Sequence, residues 1–474
     1  MFRVLAIPLM LALAACAVEQ APDVTETARQ ALPEATAVPV DFGEAAAAAT
    51  GKVTNGWLSS FGDPKLEALV AEAIQNNLSL RAAAARLDAA AGFATQAGAE
   101  LVPAIGASGT ALGREGFATG DPSLTTSGAA LNASWELDIW GRVRAQAAAG
   151  QAALEATQNQ VEWAYQSIAA QTAKTWFLLT EAQLQEKLAA EALDLFRETL
   201  RLVEAKHAQG QVTQKEVSLA RANVAGGEVT LRQAKGARLQ AARALEVLLG
   251  RYPAAELEGA DDLVATPPPI PAGLPSELLE RRPDLIAAER AVAAQFFQVQ
   301  SAQAARLPRF GLTAGVGSAS NALNNTLNFG ADYWSAGTNF VAPIFTGGAL
   351  QAQVEIETAG QEEALANYGQ LALRAFSEVE QGLANETLLR EREAYLRTVV
   401  DETAEALRLA RAEFDVGKID LLSVIQQQGQ VIAARVSLLN IRDQRLQQRV
   451  DLHLALGGGF QADQGDEAAA RSGG

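Results

Sequence analysis

Cysteine occurs once in this sequence, at Cys16, and histidine twice, at His207 and His453. No disulfide framework within the chain and no Cys/His zinc site can be built from them. A His-dependent triad would need one of two histidines that both sit in helical, Leu/Val/Ala-rich stretches, so no catalytic constellation is expected. Methionine also occurs only twice, and no Met or His cluster marks a copper or silver site. Basic residues are short as well: 38 Lys+Arg against 55 Asp+Glu leave a net charge of −17. A nucleic-acid partner would need a basic footprint and is excluded. The charge suits a solvated surface or a cation-favouring lumen. Beyond the N-terminus no apolar run reaches the roughly 18 residues of a transmembrane helix. The reading from absence is therefore no enzyme, no metal, no cofactor and no helical membrane span.

What is present begins at the N-terminus. Met1-Phe2-Arg3 precedes an apolar run from Val4 to Ala15, the form of an export signal over residues 1–15. Leu13-Ala14-Ala15-Cys16 resembles a bacterial lipobox, which would make Cys16 the lipidated first residue of the mature chain. Ala15-Cys16-Ala17 also fits ordinary cleavage after Ala17. Residues 16–56 are rich in Ala, Pro, Thr and Glu and read as a loosely ordered tether.

Residues 128–139 set the architecture. Ala129, Leu131, Ala133, Trp135, Leu137 and Ile139 fall on one parity. Ala130, Asn132, Ser134, Glu136 and Asp138 fall on the other. This alternation is a strand with one apolar and one polar face. Trp135, and Trp140 just beyond, suit an interfacial girdle. A soluble sheet would show the same alternation in a single strand.

The chain also repeats. Gly210 and Gly417 lie 207 residues apart, and Val217/Val424 and Val224/Val431 keep that offset. Upstream, Pro103/Pro308 and Leu80/Leu285 keep an offset of 205. Two copies are expected, over residues 57–257 and 276–460, with a Pro-rich linker at 258–275 and a disordered tail at 461–474. Each copy reads as a helix (65–100; 276–305), two strands, a very long helix, a Gly break and another long helix. In the second copy Phe310, Leu312, Ala314 and Val316 alternate with Arg309, Gly311, Thr313 and Gly315. Trp334, Ala336, Phe340, Ala342 and Ile344 share a face, with Thr338 the exception. Trp334, Phe340 and Phe345 are its interfacial aromatics. Each strand is roughly ten residues, the length of a tilted membrane strand.

Four strands cannot close a barrel, and lipid does not tolerate an open sheet edge. About eight is the smallest membrane barrel. If these strands span a bilayer, several chains share one barrel.

Residues 145–209 hold no proline and one glycine, Gly150. At 1.5 Å per residue such a helix reaches about 100 Å. Leu188, Leu195 and Leu202 recur at sevens beside Phe196 and Val203, as do Val424, Val431 and Leu438 beside Ile425, Ile432, Leu439 and Leu446. Sevens imply coiled-coil packing, and two adjacent stripes imply a neighbour on each side. An ordinary helical bundle is the alternative. Gly210 and Gly417 suit the left-handed position that closes a helix, so both mark hairpin tips.

Several stretches together resemble the bacterial outer-membrane efflux proteins of the TolC type, lipoprotein branch. They are Trp57…Phe61…Asp63-Pro64…Leu66…Leu69, residues 134–144 (Ser-Trp-Glu-Leu-Asp-Ile-Trp-Gly-Arg-Val-Arg), Arg282-Pro283-Asp284-Leu285, residues 343–348 and residues 454–460. The resemblance implies a mainly α fold with a membrane β-barrel. In it a homotrimer shares a twelve-stranded barrel in outer-membrane lipid and a helical tunnel through the periplasm. It further implies a periplasmic adaptor protein and an inner-membrane RND pump as partners. The motif residues are expected to be structural, with Pro283 starting a helix. Asp415, Lys418 and Asp420 around Gly417 are candidates for a closing gate, and solvated tip positions with Asp420 as a helix cap are the alternative. The function expected is a passive exit duct for small toxic molecules. A metal-ion or protein-secretion duct and a lipid-anchored periplasmic coiled-coil scaffold are the other readings.

Overall fold

The computed structural model describes residues 18–33, 36, 38–44, 53–114, 124–320 and 333–461. Cys16 and the loops at 115–123 and 321–332 lie outside the described residues. In chain order the elements are α1 (Val24–Ala31), a 3-10 turn (Trp57–Phe61), α2 (Pro64–Asn76), α3 (Leu78–Ala99), β1 (Ala104–Arg114), β2 (Leu124–Leu137), α4 (Arg142–Ala208) and α5 (Gln214–Leu248). Then follow α6 (Pro275–Arg281), α7 (Pro283–Ala304), β3 (Arg309–Ser320), β4 (Tyr333–Val341), α8 (Ala349–Asp415) and α9 (Leu421–Ala455).

The duplication is visible in the lengths. α3 and α7 each have 22 residues and start at 78 and 283. α4 and α8 each have 67 residues, and α5 and α9 each have 35. α1, capped by the Asp23 side chain on Glu26 N–H, lies in the stretch read as a tether.

Where one helix opens each copy in the sequence reading, the structure has two. The breaks fall at Asn77 and Arg282, the same 205 residues apart. Arg282 precedes Pro283, whose ring pushes it out of the helical region to ψ 121. Asn77 reaches ψ 125 with no proline after it. Its Oδ1 accepts from Ser79 N–H at 2.9 Å and so caps α3, while its Nδ2 donates to the Leu248 carbonyl at 2.9 Å.

The chain forms two compact units. One comprises Met1–Thr36, Ala84–Gln160 and Asp284–Leu371. It holds a four-stranded antiparallel sheet in the order β1-β2-β3-β4, in which β2 and β3 join the two copies. β2 ends at Leu137, two residues before the expected boundary. The Asp138 carboxylate turns away to accept from Val143 N–H (3.1 Å) and Arg144 N–H (2.8 Å), which starts α4. Glu136 pairs with Arg142, each carboxylate oxygen 3.0 Å from a guanidinium nitrogen. Gly141 supplies the turn at φ 80. The motif at 134–144 is therefore a strand-to-helix hinge locked by two acid–arginine pairs. β4 likewise stops at Val341, before Pro343, so Ala342 and Ile344 are not strand residues.

The second unit comprises Ala37–Ala83, Val161–Pro283 and Ala372–Gly474. Trp57, Phe61, Leu66, Trp176, Phe177 and Leu245 are in its main core. Asp63 caps α2 through Oδ1 and accepts from the Trp176 indole at 2.7 Å through Oδ2. Equivalent ion pairs tie the helices of each hairpin: Glu186–Arg238 at 2.6 Å in the first copy and Glu393–Arg445 in the second.

Candidate membrane face and hairpin tips

Partnered residues of an antiparallel sheet point to the same side. The register aligns Phe340–Phe310–Leu137, then Thr338–Leu312–Trp135, then Ala336–Ala314–Ala133–Ile105, then Trp334–Val316–Leu131–Ala107. Over these four rows one face is apolar, Thr338 excepted; beyond them Ser318, Ser320 and Ser127 lie on the same side, Ser318 and Ser127 buried. The other carries Ser108, Asn132, Ser134, Glu136, Thr313, Ser335 and Asn339 among glycines and alanines. Among the described residues, the large side chains of the apolar face stand open rather than covered by helices. Ile105 is 77% exposed, Leu131 54%, Trp334 79% and Phe340 61%. Leaving such side chains in water costs roughly 1.5–3 kcal/mol each.

Two candidate girdle tryptophans have their polar atoms satisfied. Trp135 Nε1 donates to the Leu101 carbonyl at 3.1 Å and Trp140 Nε1 to that of Pro308 at 2.7 Å. Trp140 and Phe345 stand just past the ends of β2 and β4, and Phe345 is 90% exposed. The Phe340 and Phe310 rings pack at a tilt, centroids 5.1 Å apart. No helix among the described residues is long and apolar enough to cross a membrane.

The tips are built alike. At the first, Gly210 has φ 73, with Gly210 N–H to His207 O at 2.8 Å and Gln211 N–H to Lys206 O at 3.0 Å. At the second, Gly417 has φ 76, with Gly417 N–H to Phe414 O at 3.0 Å and Lys418 N–H to Glu413 O at 2.8 Å. These are paired helix-closing bonds around a left-handed glycine. Thr213 with Glu216 forms a capping box on α5, and Asp420 accepts from Ser423 N–H at 3.0 Å to cap α9. The Ser423 hydroxyl and backbone N–H hold the Asp420 carboxyl below the usual carboxylate range.

Both tips share one apolar cluster, including Val203, Val217, Leu407, Phe414, Leu421 and Val424. Lys206, passed over in the sequence reading, connects them. Its Nζ lies 4.0 Å from the Phe414 ring centroid and 3.9 Å from an Asp415 oxygen. The only signal for it in sequence is its place at the end of a hairpin. Asp415 is largely exposed, and Lys418 and Asp420 flank the same turn. Among the described residues no acidic, Cys or His cluster could hold a metal.

A family model described as "Outer membrane efflux protein" matches the chain twice, over residues 69–251 and 274–458. The chain is 34% identical over 420 residues to the pyoverdine export outer membrane protein OpmQ of Pseudomonas aeruginosa, covering 86% of this chain and 88% of that protein. It is 28% identical over 407 residues to the cation efflux system protein CusC of Escherichia coli, covering 85% and 89%. Among solved structures, the Campylobacter jejuni CmeC outer membrane channel matches with a TM-score of 0.84 at 25% identity, covering 93% of this chain and 97% of that one. CusC matches with a TM-score of 0.81 at 26% identity, covering 90% and 98%. An open apolar sheet face, two equivalent glycine-closed hairpins and a family match in each copy lead to one conclusion: the chain belongs to the outer membrane efflux protein family.

Proposed function

We propose that three copies of this outer-membrane efflux protein close one duct, each supplying four strands to a shared membrane barrel and its long helices to a tunnel through the periplasm. The observation that carries this reading is the apolar face. From the Leu137 row to the Leu131 row it spans the sheet with Thr338 as its one polar member, it is exposed in the single chain, and among the described residues β1 and β4 are the unpaired edges. A bilayer rejects free edges, and sister copies satisfy them. Lipidation at Cys16 adds membrane affinity at about 0.8 kcal/mol per buried CH₂.

The duct is passive. An adaptor protein and an inner-membrane RND pump supply the cargo and the energy. Relatives are named for pyoverdine, cations, toluene and antibiotics. One duct architecture thus serves unrelated cargo, and selection lies upstream of it. Small toxic molecules are the cargo class we assign. Asp415, Lys418 and Asp420 surround the tip turn and would form threefold rings at the closed end. Asp420 is already engaged as a cap, which leaves Asp415 and Lys418 as the groups free to exchange partners on opening.

The test is mass in mild detergent together with conductance in planar bilayers. A trimer that gives discrete conductance steps is expected. A water-soluble monomer from the Cys16→Ser variant, silent in bilayers, would overturn the duct and favour a periplasmic scaffold.

A further inference from the structure

One row on the apolar face is small. Ala133, Ala314 and Ala336 stand side by side across β2, β3 and β4. Ile105 ends the row on β1; the neighbouring row on one side is Trp135, Leu312 and Thr338, and on the other Leu131, Val316 and Trp334. The three alanines floor a trough, a recess of about 580 Å³ walled on the side of Trp135, Leu312, Thr338 and Pro103. Its lining is mainly apolar. The Trp135 indole is pinned by its bond to the Leu101 carbonyl, so this wall is fixed. An aliphatic chain lying in the trough would meet apolar atoms on its floor and along the Trp135–Leu312 wall.

The start of the described chain says what fills it. Val18 packs beside Gly141 in the turn between β2 and α4, where a Cβ on Gly141 would come within 3.1 Å of Val18 Cγ2. The next residue is tied twice: Glu19 N–H donates to Gln300 Oε1 at 3.1 Å, and Gln300 Nε2 donates to the Glu19 carbonyl at 3.0 Å. Cys16 is two residues earlier, so its reach from Val18 is about 7 Å. From Leu137 to Ala133 the strand rises four residues, about 13 Å. One acyl chain spans a leaflet, about 15 Å, half the hydrocarbon core. The two reaches together, about 22 Å, compare with about 13 Å along the strand plus about 10 Å across two strand spacings from Ala133 to Ala336.

We infer that the trough is an acyl-chain site, filled by a fatty chain carried on Cys16 of the same polypeptide. The inference rests on the reading of Cys16 as a lipid attachment point and goes beyond it. The anchor then acts as a wedge that braces β2, β3 and β4, in addition to tethering the chain.

The full-length protein in outer membranes carrying Ala336→photo-leucine tests this. After irradiation and digestion, the expected product is the β4 peptide joined to the N-terminal lipopeptide. Ser335→photo-leucine, on the opposite face, should give no such product. Ala314→Phe fills the floor and should abolish the crosslink at position 336 while conductance persists. Adducts with membrane phospholipid alone, or no lipid adduct, would overturn the site. The mass of the N-terminal peptide reads lipidation separately. A lipidated peptide without the crosslink defeats the trough alone. An unmodified Cys16 defeats the attachment reading and the trough together, and bilayer conductance still reports on the duct.

Discussion

Two buried titratable residues on α9 work against each other. Asp443 is pushed up to about 7, first by burial and then by the charge of Glu181, against a hydrogen bond from Gln447. Its folded value lies above the ordinary 3.8, so the folded state holds the proton more tightly. That stabilisation is complete below about pH 4 and is lost as pH rises to about 7. His453, stacked on Trp57 with ring centroids 5.7 Å apart, is lowered to about 3, first by burial and then by Arg449. Its folded value lies below the ordinary 6.5. Stability from the neutral imidazole is present above pH 6.5 and is lost as pH falls towards 3. Between about pH 4 and 6.5 the two slopes oppose each other. Asp443→Asn should therefore raise the melting temperature at pH 8, by a gain on the order of a few kcal/mol. It should also unmask a fall in stability on acidification from pH 6.5 to 4. A flat profile for that variant would contradict the His453 assignment. Asp443 did not stand out in the sequence and His453 did so only by its rarity, because burial depends on partners such as Glu181 on α4, distant along the chain. At the tip, Asp415 is exposed, and its part in a gate is a proposal. Asp415→Ala should leave trimer stability unchanged but reduce cation preference in bilayer recordings, and unaltered selectivity would remove Asp415 from the gate.

At the scale of elements, what could be read from sequence was what a covalent constraint imposes. The long helices were legible because proline is absent from them, and their ends because Gly210 and Gly417 take positive φ. Pro283 was legible as a helix start. Its counterpart Asn77 was not, since the same break is made there by a side chain. The end of β2 was misjudged for a similar reason: Asp138 continues the alternation but caps α4 instead. Asn77→Ala should remove the cap on α3, worth about 1 kcal/mol, and orphan the Leu248 carbonyl, for a total loss of about 2–3 kcal/mol. Thermal unfolding would measure it. Because Asn77 is buried near the end of α5, hydrogen exchange should rise at the α2–α3 junction and at Leu248–Gly250 together. Loss confined to the junction would show that the bond to Leu248 carries little.

At the scale of the whole molecule, the two faces of the sheet make opposite demands. Each side chain belongs wholly to one face, since a shift of one residue in register would exchange them all. A charge placed on the apolar face meets hydrocarbon, and arginine near the bilayer midplane costs about 2–4 kcal/mol. In a trimer that cost recurs in every copy. Val316→Arg should therefore leave the long helices formed, with little change in helical content, but abolish the detergent-stable trimer and the conductance. Ser335→Lys, the β4 partner of Gly315 and so on the other face one residue along from Val316, should keep the trimer and shift ion selectivity away from cations by lining the lumen with positive charge. The pair of variants separates a membrane sheet from a soluble one. In water both introduce an exposed charge on an open sheet, and neither should matter. In a bilayer barrel one prevents assembly and the other only retunes the pore.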